Sequence, residues 1–221
     1  MSIGENRSYN KKEVLMKKYY QESIGNDISK QASNLRKNMR SQSHDLMNSD
    51  FGIAGNTFRA FIGYSTAPSL VYRSWARETT ERIISEKGVK PGKSQAEFDK
   101  WHNQLFDSLV EQWDSIQNNP LSFAHTFKLV DLYCRWLFTY DACPKLLAKS
   151  ILSYGYCALD SQILRRLNEA LSGALPIRKP TMGDIQNKNT YSFCQDLIKD
   201  FSEHYGVNRI LFDFYAWKAG G

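Results

Sequence analysis

The chain has few of the residues that build metal sites and disulfide frameworks. Its 221 residues include only four cysteines and four histidines. The cysteines form no Cys-x-x-Cys pair and have no zinc-like spacing to the histidines, which argues against a structural metal. A disulfide framework is equally disfavoured, so we expect free thiols in a reducing compartment. We predict neither a metal nor another cofactor.

Long apolar runs and targeting signals are also missing. No apolar run approaches the roughly 20 residues that a membrane-spanning helix needs, and the polar N-terminal stretch lacks the apolar core of a signal peptide. We therefore expect a cytoplasmic, nucleoid-associated protein with no membrane partner. A phosphate-binding loop is absent too, because Gly52 and Gly55 are not followed by Gly-Lys-Ser/Thr.

What the sequence does have is basic charge and aromatic surface. Apolar residues make up 42% and aromatic residues 13% of the chain, which is typical of a globular protein. The formal net charge is +6, which suits a polyanionic partner. The 29 Phe, Tyr and Trp side chains (12, 12 and 5) could stack on nucleic-acid bases or could simply form the core.

Helical periodicity dominates the chain and predicts a mainly α, two-lobed fold with little or no β structure. Asn119-Pro120 and Thr190 are helix-start signals. The segment 50–72 contains three glycines and fits either a short strand pair or a buried aromatic loop. The predicted helices are 74–87, 94–115, 120–139, 145–153, 161–171, 191–205 and 208–218.

The chain divides by composition near residue 48. Residues 1–48 are polar and rich in Lys and Arg, and we expect a DNA-binding basic arm or small helical segment there. A solvated pair of surface helices is the alternative. Residues 49–221 are expected to form one helical domain whose cleft lies between helices 120–139, 161–171 and 208–218.

Two residues in the second half offer chemistry, and each also has an ordinary structural explanation. Lys128 lies among polar helix neighbours, as a solvated lysine would. If it were partly desolvated, or placed beside a cation such as Arg135, its pKa would fall and its amine could act as a nucleophile. Asp160 precedes a helix, where an aspartate commonly serves as the N-cap. The helix terminus would also keep its carboxylate ionised at the edge of a cleft.

The last hundred residues resemble the helix-hairpin-helix DNA glycosylases, particularly the 8-oxoguanine branch and its small archaeal relatives. The similarity lies in the order of Lys128, the Leu159-Asp160-Ser161 step, a core helix, a polar loop and two closing helices. It implies that Lys128 is the Schiff-base nucleophile and that Asp160 supports attack at the sugar carbon. It also implies that Asn208 reads a flipped base and that Phe212 stacks on it.

This resemblance implies a DNA glycosylase, with or without AP-lyase activity, that flips and excises an 8-oxoguanine-like or hypermodified phage base. The glycine-rich hairpin of that family is absent between Lys128 and Asp160, so Lys145 and Lys149 stay open as alternative nucleophiles. The expected partner is double-stranded DNA, bound by a monomer. We place His125 and Trp136 in the substrate site. The expected phosphate contacts are Arg178, Lys179, Lys145 and Lys149.

Two other functions stay open at this point. One is a non-catalytic helical DNA-binding or phage-defence protein that keeps the fold without the chemistry. The other is a helical ribonuclease or toxin built on Arg40 and His44. A Cys–His pair between His125 and Cys134 or Cys143 could also be drawn, but nothing in the sequence orients that histidine.

Overall fold

The computed structural model describes residues 17–38, 45–59, 61–85, 92–176 and 180–218. Within these ranges the chain forms α-helices and one short 3-10 turn at Met182–Asp184, with no strand, so the prediction of a mainly α fold is confirmed. The helices are α1 Glu22–Asn38, α2 Pro68–Ser85, α3 Gln95–Ile116, α4 Phe123–Thr139, α5 Lys145–Tyr154, α6 Ser161–Ala170, α7 Lys188–His204 and α8 Arg209–Lys218.

Side-chain caps and prolines decide where these helices begin. Pro68 occupies the first position of α2, where a missing N–H costs nothing, so this helix begins earlier than predicted. Pro120 lies outside its helix, contrary to prediction, because the Ser122 hydroxyl accepts the N–H of His125 and caps α4. Asn187, rather than Thr190, caps α7.

The segment after residue 50 is a loop in which Phe51 and Ile53 are buried and most other residues are half-buried or exposed; the strand-pair alternative is wrong for its described residues. Gly52 has a φ of +86°, and a Cβ built on it would lie 2.5 Å from the carbonyl oxygen of Leu132. Glycine is therefore required for the loop to lie directly against α4. Phe51 is buried against Trp136, and the Tyr72 hydroxyl donates to the Phe51 carbonyl at 2.8 Å.

Helix α4 lies at the centre of the molecule, packed against α2, α3 and α5. Nearly all buried apolar side chains of the described residues form one continuous core. Helix α1 contributes Ile28, Ala32 and Leu35 to this core and packs on α8. Residues 22–38 thus pack into the same core as the later helices.

The remainder of the predicted basic arm, residues 1–16 and 39–44, lies outside the described residues. Its proposed contact with DNA stays a prediction. None of the described helices is both long and apolar enough to cross a membrane.

Candidate functional site

Lys128 and Asp160 lie together, as the sequence predicted. The Lys128 Nζ is 3.9 Å from the Asp160 Oδ2, although 32 positions separate them in sequence (160 minus 128). Their side chains are only 16% and 10% exposed, respectively. The pair joins the second turn of α4 to the N-terminus of α6, so it lies where the core meets the surface.

The position of Asp160 is fixed by its role as the N-cap of α6. Its Oδ1 accepts the backbone N–H groups of Gln162 and Ile163, both at 2.9 Å. These bonds satisfy two donors that the first helical turn would otherwise leave without partners. They leave Oδ2 directed toward Lys128, so capping and the ion pair use different oxygens of one carboxylate.

Buried side chains hold the extended segment that leads into Asp160. The Asp213 Oδ2 accepts the N–H of Ala158 at 2.7 Å. The Gln195 side chain bonds both the N–H and the carbonyl of Cys157, at 3.0 and 2.7 Å. Because these partners come from α8 and α7, the two closing helices determine where the Asp160 carboxylate lies.

A second ion pair lies behind the first. Arg135, about two turns after Lys128 on α4, donates to the Asp213 Oδ1. Asp213 has no exposed surface, and it faces both Arg135 and the segment before Asp160. The site thus contains two neighbouring ion pairs, with two cations and two carboxylates in all: Lys128 with Asp160, and Arg135 with Asp213.

Burial shifts the pKa values of Lys128 and Asp160 toward one another. Desolvation lowers the pKa of Lys128, and Arg135 lowers it further, against the opposing effects of Asp160 and Asp213. Desolvation raises the pKa of Asp160, against the stabilising N–H of Ile163 and the charge of Lys128. The lysine therefore has a larger neutral fraction than a solvated lysine has, which is what an amine nucleophile requires.

Lys128 opens onto a cleft of about 680 Å³. Its walls are the loop around 56–59, the first turns of α4 and the turn at 181–186. The loop contributes a second cation, Arg59. The cleft was predicted between helices 120–139, 161–171 and 208–218. Of these three, only the first, which is α4, lines the observed cleft; Asp160 at the start of α6 contacts Lys128, which does line it.

His125 lines the same cleft, one turn before Lys128, in keeping with its predicted place in the substrate site. Its Nδ1 lies 2.6 Å from the Ser122 hydroxyl oxygen, and the ring packs against the edge of Phe61 with centroids 4.5 Å apart. Burial lowers the pKa of His125, and the nearby charge of Lys128 lowers it further. The imidazole is therefore mainly neutral at neutral pH.

Three other predicted substrate residues do not line this cleft. Phe212 has no exposed surface and packs against Phe201, so its assignment to a base pocket is corrected to a core position. Trp136 is buried and stacks on Tyr140, which makes it a core residue as well. Asn208 is half-buried at the start of α8, where its carbonyl accepts the N–H of Leu211 at 2.9 Å.

The predicted phosphate contacts divide into two groups. Lys145 and Lys149 lie exposed on α5 and line none of the cleft walls, so neither is placed as a nucleophile there. Their contact with DNA stays a prediction. The other two predicted phosphate contacts, Arg178 and Lys179, lie outside the described residues. So do Arg40 and His44, on which the ribonuclease alternative rests.

A buried hydrogen-bonded triad that was not predicted from the sequence lies one turn along α4 from Lys128. Asp131 lies one turn along α4, fully buried, with its Oδ1 2.7 Å from the His102 Nε2. The Tyr191 hydroxyl donates to its Oδ2 at 2.8 Å. Desolvation raises the pKa of Asp131, against its hydrogen bond and its Coulomb attraction to His102. Asp131 falls within the apolar stripe of α4, and a buried acid needs partners, so this signal was present in the sequence.

The cysteines offer no competing nucleophile. All four are buried and outside any disulfide, and burial raises the pKa of Cys134 well above that of an ordinary thiol. The His125 Nδ1 faces the Ser122 hydroxyl. Among the described residues, no group of three or more His, Cys, Asp or Glu side chains could hold a metal ion.

The described residues define a helical bundle with a Lys–Asp pair at the wall of an open cleft. Comparison of the chain with protein-family models, with curated proteins and with solved structures finds no significant match. The function is therefore considered from the chemistry of the site.

Proposed function

We propose that this protein is a DNA glycosylase in which Lys128 is the nucleophile and Asp160 stabilises the charge that develops on the sugar. The supporting observation is the 3.9 Å contact between the Lys128 Nζ and the Asp160 Oδ2 at the wall of an open cleft. The order of these residues in the chain also resembles the helix-hairpin-helix glycosylases. The substrate is a damaged or modified base that is flipped out of duplex DNA.

The proposed reaction begins with neutral Lys128. Its amine lone pair forms a bond to the sugar C1′, and the bond from C1′ to the base breaks. The bonding electrons leave with the base, which takes up a proton. The attached amine then loses a proton, and the C1′–O4′ bond opens as O4′ gains one. This step leaves a Schiff base between Lys128 and the sugar.

The Schiff base then has two outcomes. Water can hydrolyse it, which releases an abasic site and restores the amine. Alternatively, removal of a C2′ proton expels the 3′ phosphate and breaks the strand, which is AP-lyase activity. Both outcomes pass through the same covalent intermediate, so the proposal requires that intermediate but not the strand break.

Asp160 is the proposed source of electrostatic support, which it would provide from its position beside Lys128. Positive charge develops on the sugar as the base leaves, and an ionised carboxylate beside it lowers the barrier. Because capping by Gln162 and Ile163 holds the carboxylate in place, little reorganisation is needed during the reaction. The burial that raises its pKa also excludes water, which strengthens its interaction with the developing cation.

A second candidate function is DNA binding without catalysis. The burial of the Lys128–Asp160 pair favours it. Because the two side chains are only 16% and 10% exposed, a purely structural role, holding α4 against α6, is enough to explain the ion pair. The cation Arg59 in the cleft wall and the net charge of +6 would support phosphate contacts in either case.

Base release from defined duplexes distinguishes the two. The panel should contain 8-oxoguanine, uracil and hypermodified cytosines, each in the same sequence. We expect the wild-type protein to release at least one of these bases and Lys128→Gln to release none. The matched control Lys199→Gln, which changes a surface lysine of α7 that lines none of the cleft walls, should match the wild type. Binding by wild type and Lys128→Gln alike, without release of any base, would instead favour the non-catalytic function.

A further inference from the structure

The cleft contains one side chain besides Lys128 that can accept a proton near neutral pH. Among the described residues that line the cleft, His125 is the only histidine, and none is an aspartate or a glutamate. Arg59 stays protonated, and the other lining side chains are hydroxyls, amides or apolar groups. The composition of the cleft therefore singles out His125 as its candidate general base.

Two carboxylates in neighbouring segments do not line the cleft, and both are already engaged. The Asp184 Oδ2 accepts the N–H of Thr181 at 2.7 Å and its hydroxyl at 3.0 Å. Asp160 caps α6 with its Oδ1 and faces Lys128 with its Oδ2. Lys128 itself is bonded to the sugar once the Schiff base has formed. None of these three groups is therefore free to remove a proton from a sugar that Lys128 holds.

The His125 ring is held by one nitrogen and leaves the other available. Its Nδ1 lies 2.6 Å from the Ser122 hydroxyl oxygen, and its plane makes a T-shaped contact with Phe61. In the described part of the chain, Nε2 has no hydrogen-bond partner. The Ser122 oxygen can accept the hydrogen of Nδ1, and the neutral ring then carries its lone pair on Nε2.

We propose that the His125 Nε2 removes the C2′ proton of the Schiff base on Lys128, which makes the protein a lyase as well as a glycosylase. This inference rests on the proposed function. His125 precedes Lys128 by three positions on α4, so their Cβ atoms are about 5 to 6 Å apart. Because C2′ is bonded directly to the C1′ atom that Lys128 holds, a base one helical turn away is suitably placed.

The proposed step moves one proton and breaks one strand. The C2′–H bond breaks, its proton goes to Nε2, and its electrons form a C1′=C2′ double bond as the imine nitrogen becomes neutral. The nitrogen lone pair then restores the C1′=N bond, a C2′=C3′ bond forms, and the C3′–O bond breaks with its electrons on the departing phosphate. Water finally takes the proton from the imidazolium.

The electrostatics of the cleft suit this role. Burial lowers the pKa of His125, and the charge of Lys128 lowers it further, so the imidazole is neutral and can accept a proton. The ring is half-buried at the cleft wall, where a bound sugar would exclude water from it.

The test measures adduct formation and strand cleavage separately on one abasic-site duplex. His125→Gln should form the borohydride-trapped adduct at close to the wild-type rate and should cleave the strand about a hundredfold or more slowly. The matched control is His204→Gln, which changes an exposed histidine at the end of α7 that lines none of the cleft walls. It should match the wild type in both measurements.

A second variant distinguishes a missing base from altered packing. His125→Ala removes the ring from the cleft wall, so imidazole added to the buffer can enter the space and take over the proton. We expect imidazole to increase strand cleavage by His125→Ala severalfold and to leave cleavage by the wild type unchanged. If imidazole has no effect on His125→Ala, the loss of cleavage comes from packing, and the assignment of His125 as the base is overturned.

The remaining outcomes separate this inference from the proposed function. If His125→Gln cleaves the strand as fast as the wild type, His125 is not the base, and the glycosylase proposal stands. The same holds if the wild type forms the adduct but cleaves no strand. Equal loss of adduct and cleavage in His125→Gln would also overturn the inference, since it indicates a disturbed cleft. If the wild type forms no adduct, the nucleophile proposal fails, and this inference fails with it.

Discussion

Replacing Asp160 by asparagine and by alanine separates its two roles in one experiment. Asparagine is as good an N-cap as aspartate, so it keeps the bonds to Gln162 and Ile163 and removes only the charge. Alanine removes both. The two variants should therefore differ in stability while sharing the same loss of catalysis.

The structure gives the expected magnitudes. Asp160→Ala loses a cap worth about 1 to 2 kcal/mol, since both acceptor bonds are 2.9 Å long and the N–H of Ile163 is buried. Both variants also leave Lys128 without its carboxylate partner, so Asp160→Asn should be less stable than the wild type but about 1 to 2 kcal/mol more stable than Asp160→Ala, because it keeps the cap. Base release should slow by about two to three orders of magnitude in both variants.

Two measurements check this prediction. Urea unfolding followed by tryptophan fluorescence gives the stability difference, and single-turnover base release gives the rate. If Asp160→Asn is as unstable as Asp160→Ala, the carboxylate charge holds the fold together, and its assignment as a catalytic group loses its support. If Asp160→Asn keeps the wild-type rate, electrostatic stabilisation by Asp160 is refuted directly.

Three further predictions concern burial. Burial lowers the folded-state pKa of Lys128 below its ordinary 10.5, so just below pH 10.5 the unfolded chain binds more protons than the folded chain does. The free energy of unfolding should therefore rise with pH in this range for the wild type but not for Lys128→Gln. Equal slopes for the two proteins in urea unfolding would contradict this prediction. His102→Ala should cost about 3 to 5 kcal/mol, since it removes the His102 hydrogen bond from the buried Asp131 carboxyl group; a loss under about 1 kcal/mol would refute that role. Phe212→Ala should cost about 3 to 5 kcal/mol, as expected for a core phenylalanine, whereas Phe193→Ala, at an exposed position, should cost under about 1 kcal/mol; equal losses in thermal unfolding would contradict the core assignment.

The sequence was sufficient for most of the helices. Apolar spacing of 3.6 residues places α3 to α8 within a few residues of their observed bounds, because those helices bury one strongly apolar face each. Errors occurred at helix starts, where two signals competed. The observed N-caps are Ser122, although the start of that helix was predicted at Pro120, and Asn187, although Thr190 was the predicted cap. In each case the N-cap is the residue whose side chain accepts a hydrogen bond from a free N–H group of the first turn.

The Lys128–Asp160 contact could be predicted only by analogy, since nothing local joins two residues so far apart in sequence. The buried contacts of Asp213 were harder still to predict from the sequence. Asp213 reaches Arg135 and Ala158 through tertiary packing of α8 on α4 and on the segment before α6, and no pattern within one helix reports such a contact. The resemblance assigned Phe212 to stacking on a flipped base, whereas Phe212 fills the core.

The position of the cleft was predicted wrongly, because most of its walls do not come from the helices that the sequence pattern indicates. Two of its walls are irregular segments, near 56–59 and at 181–186, and irregular segments carry no periodicity from which their position could be inferred. His125 lines this cleft beside Lys128, in contact with Ser122 and Phe61, and its assignment to a substrate site stays a prediction.

Peptide mapping of the borohydride-trapped complex tests the central claim most directly. The wild-type protein is incubated with abasic-site duplex, reduced, digested with protease and nuclease, and analysed by mass spectrometry. We predict a deoxyribose adduct on Lys128, absent in Lys128→Gln and retained in Lys145→Gln and Lys149→Gln. An adduct on another lysine, or an undiminished adduct in Lys128→Gln, would contradict the assignment of Lys128 as the nucleophile.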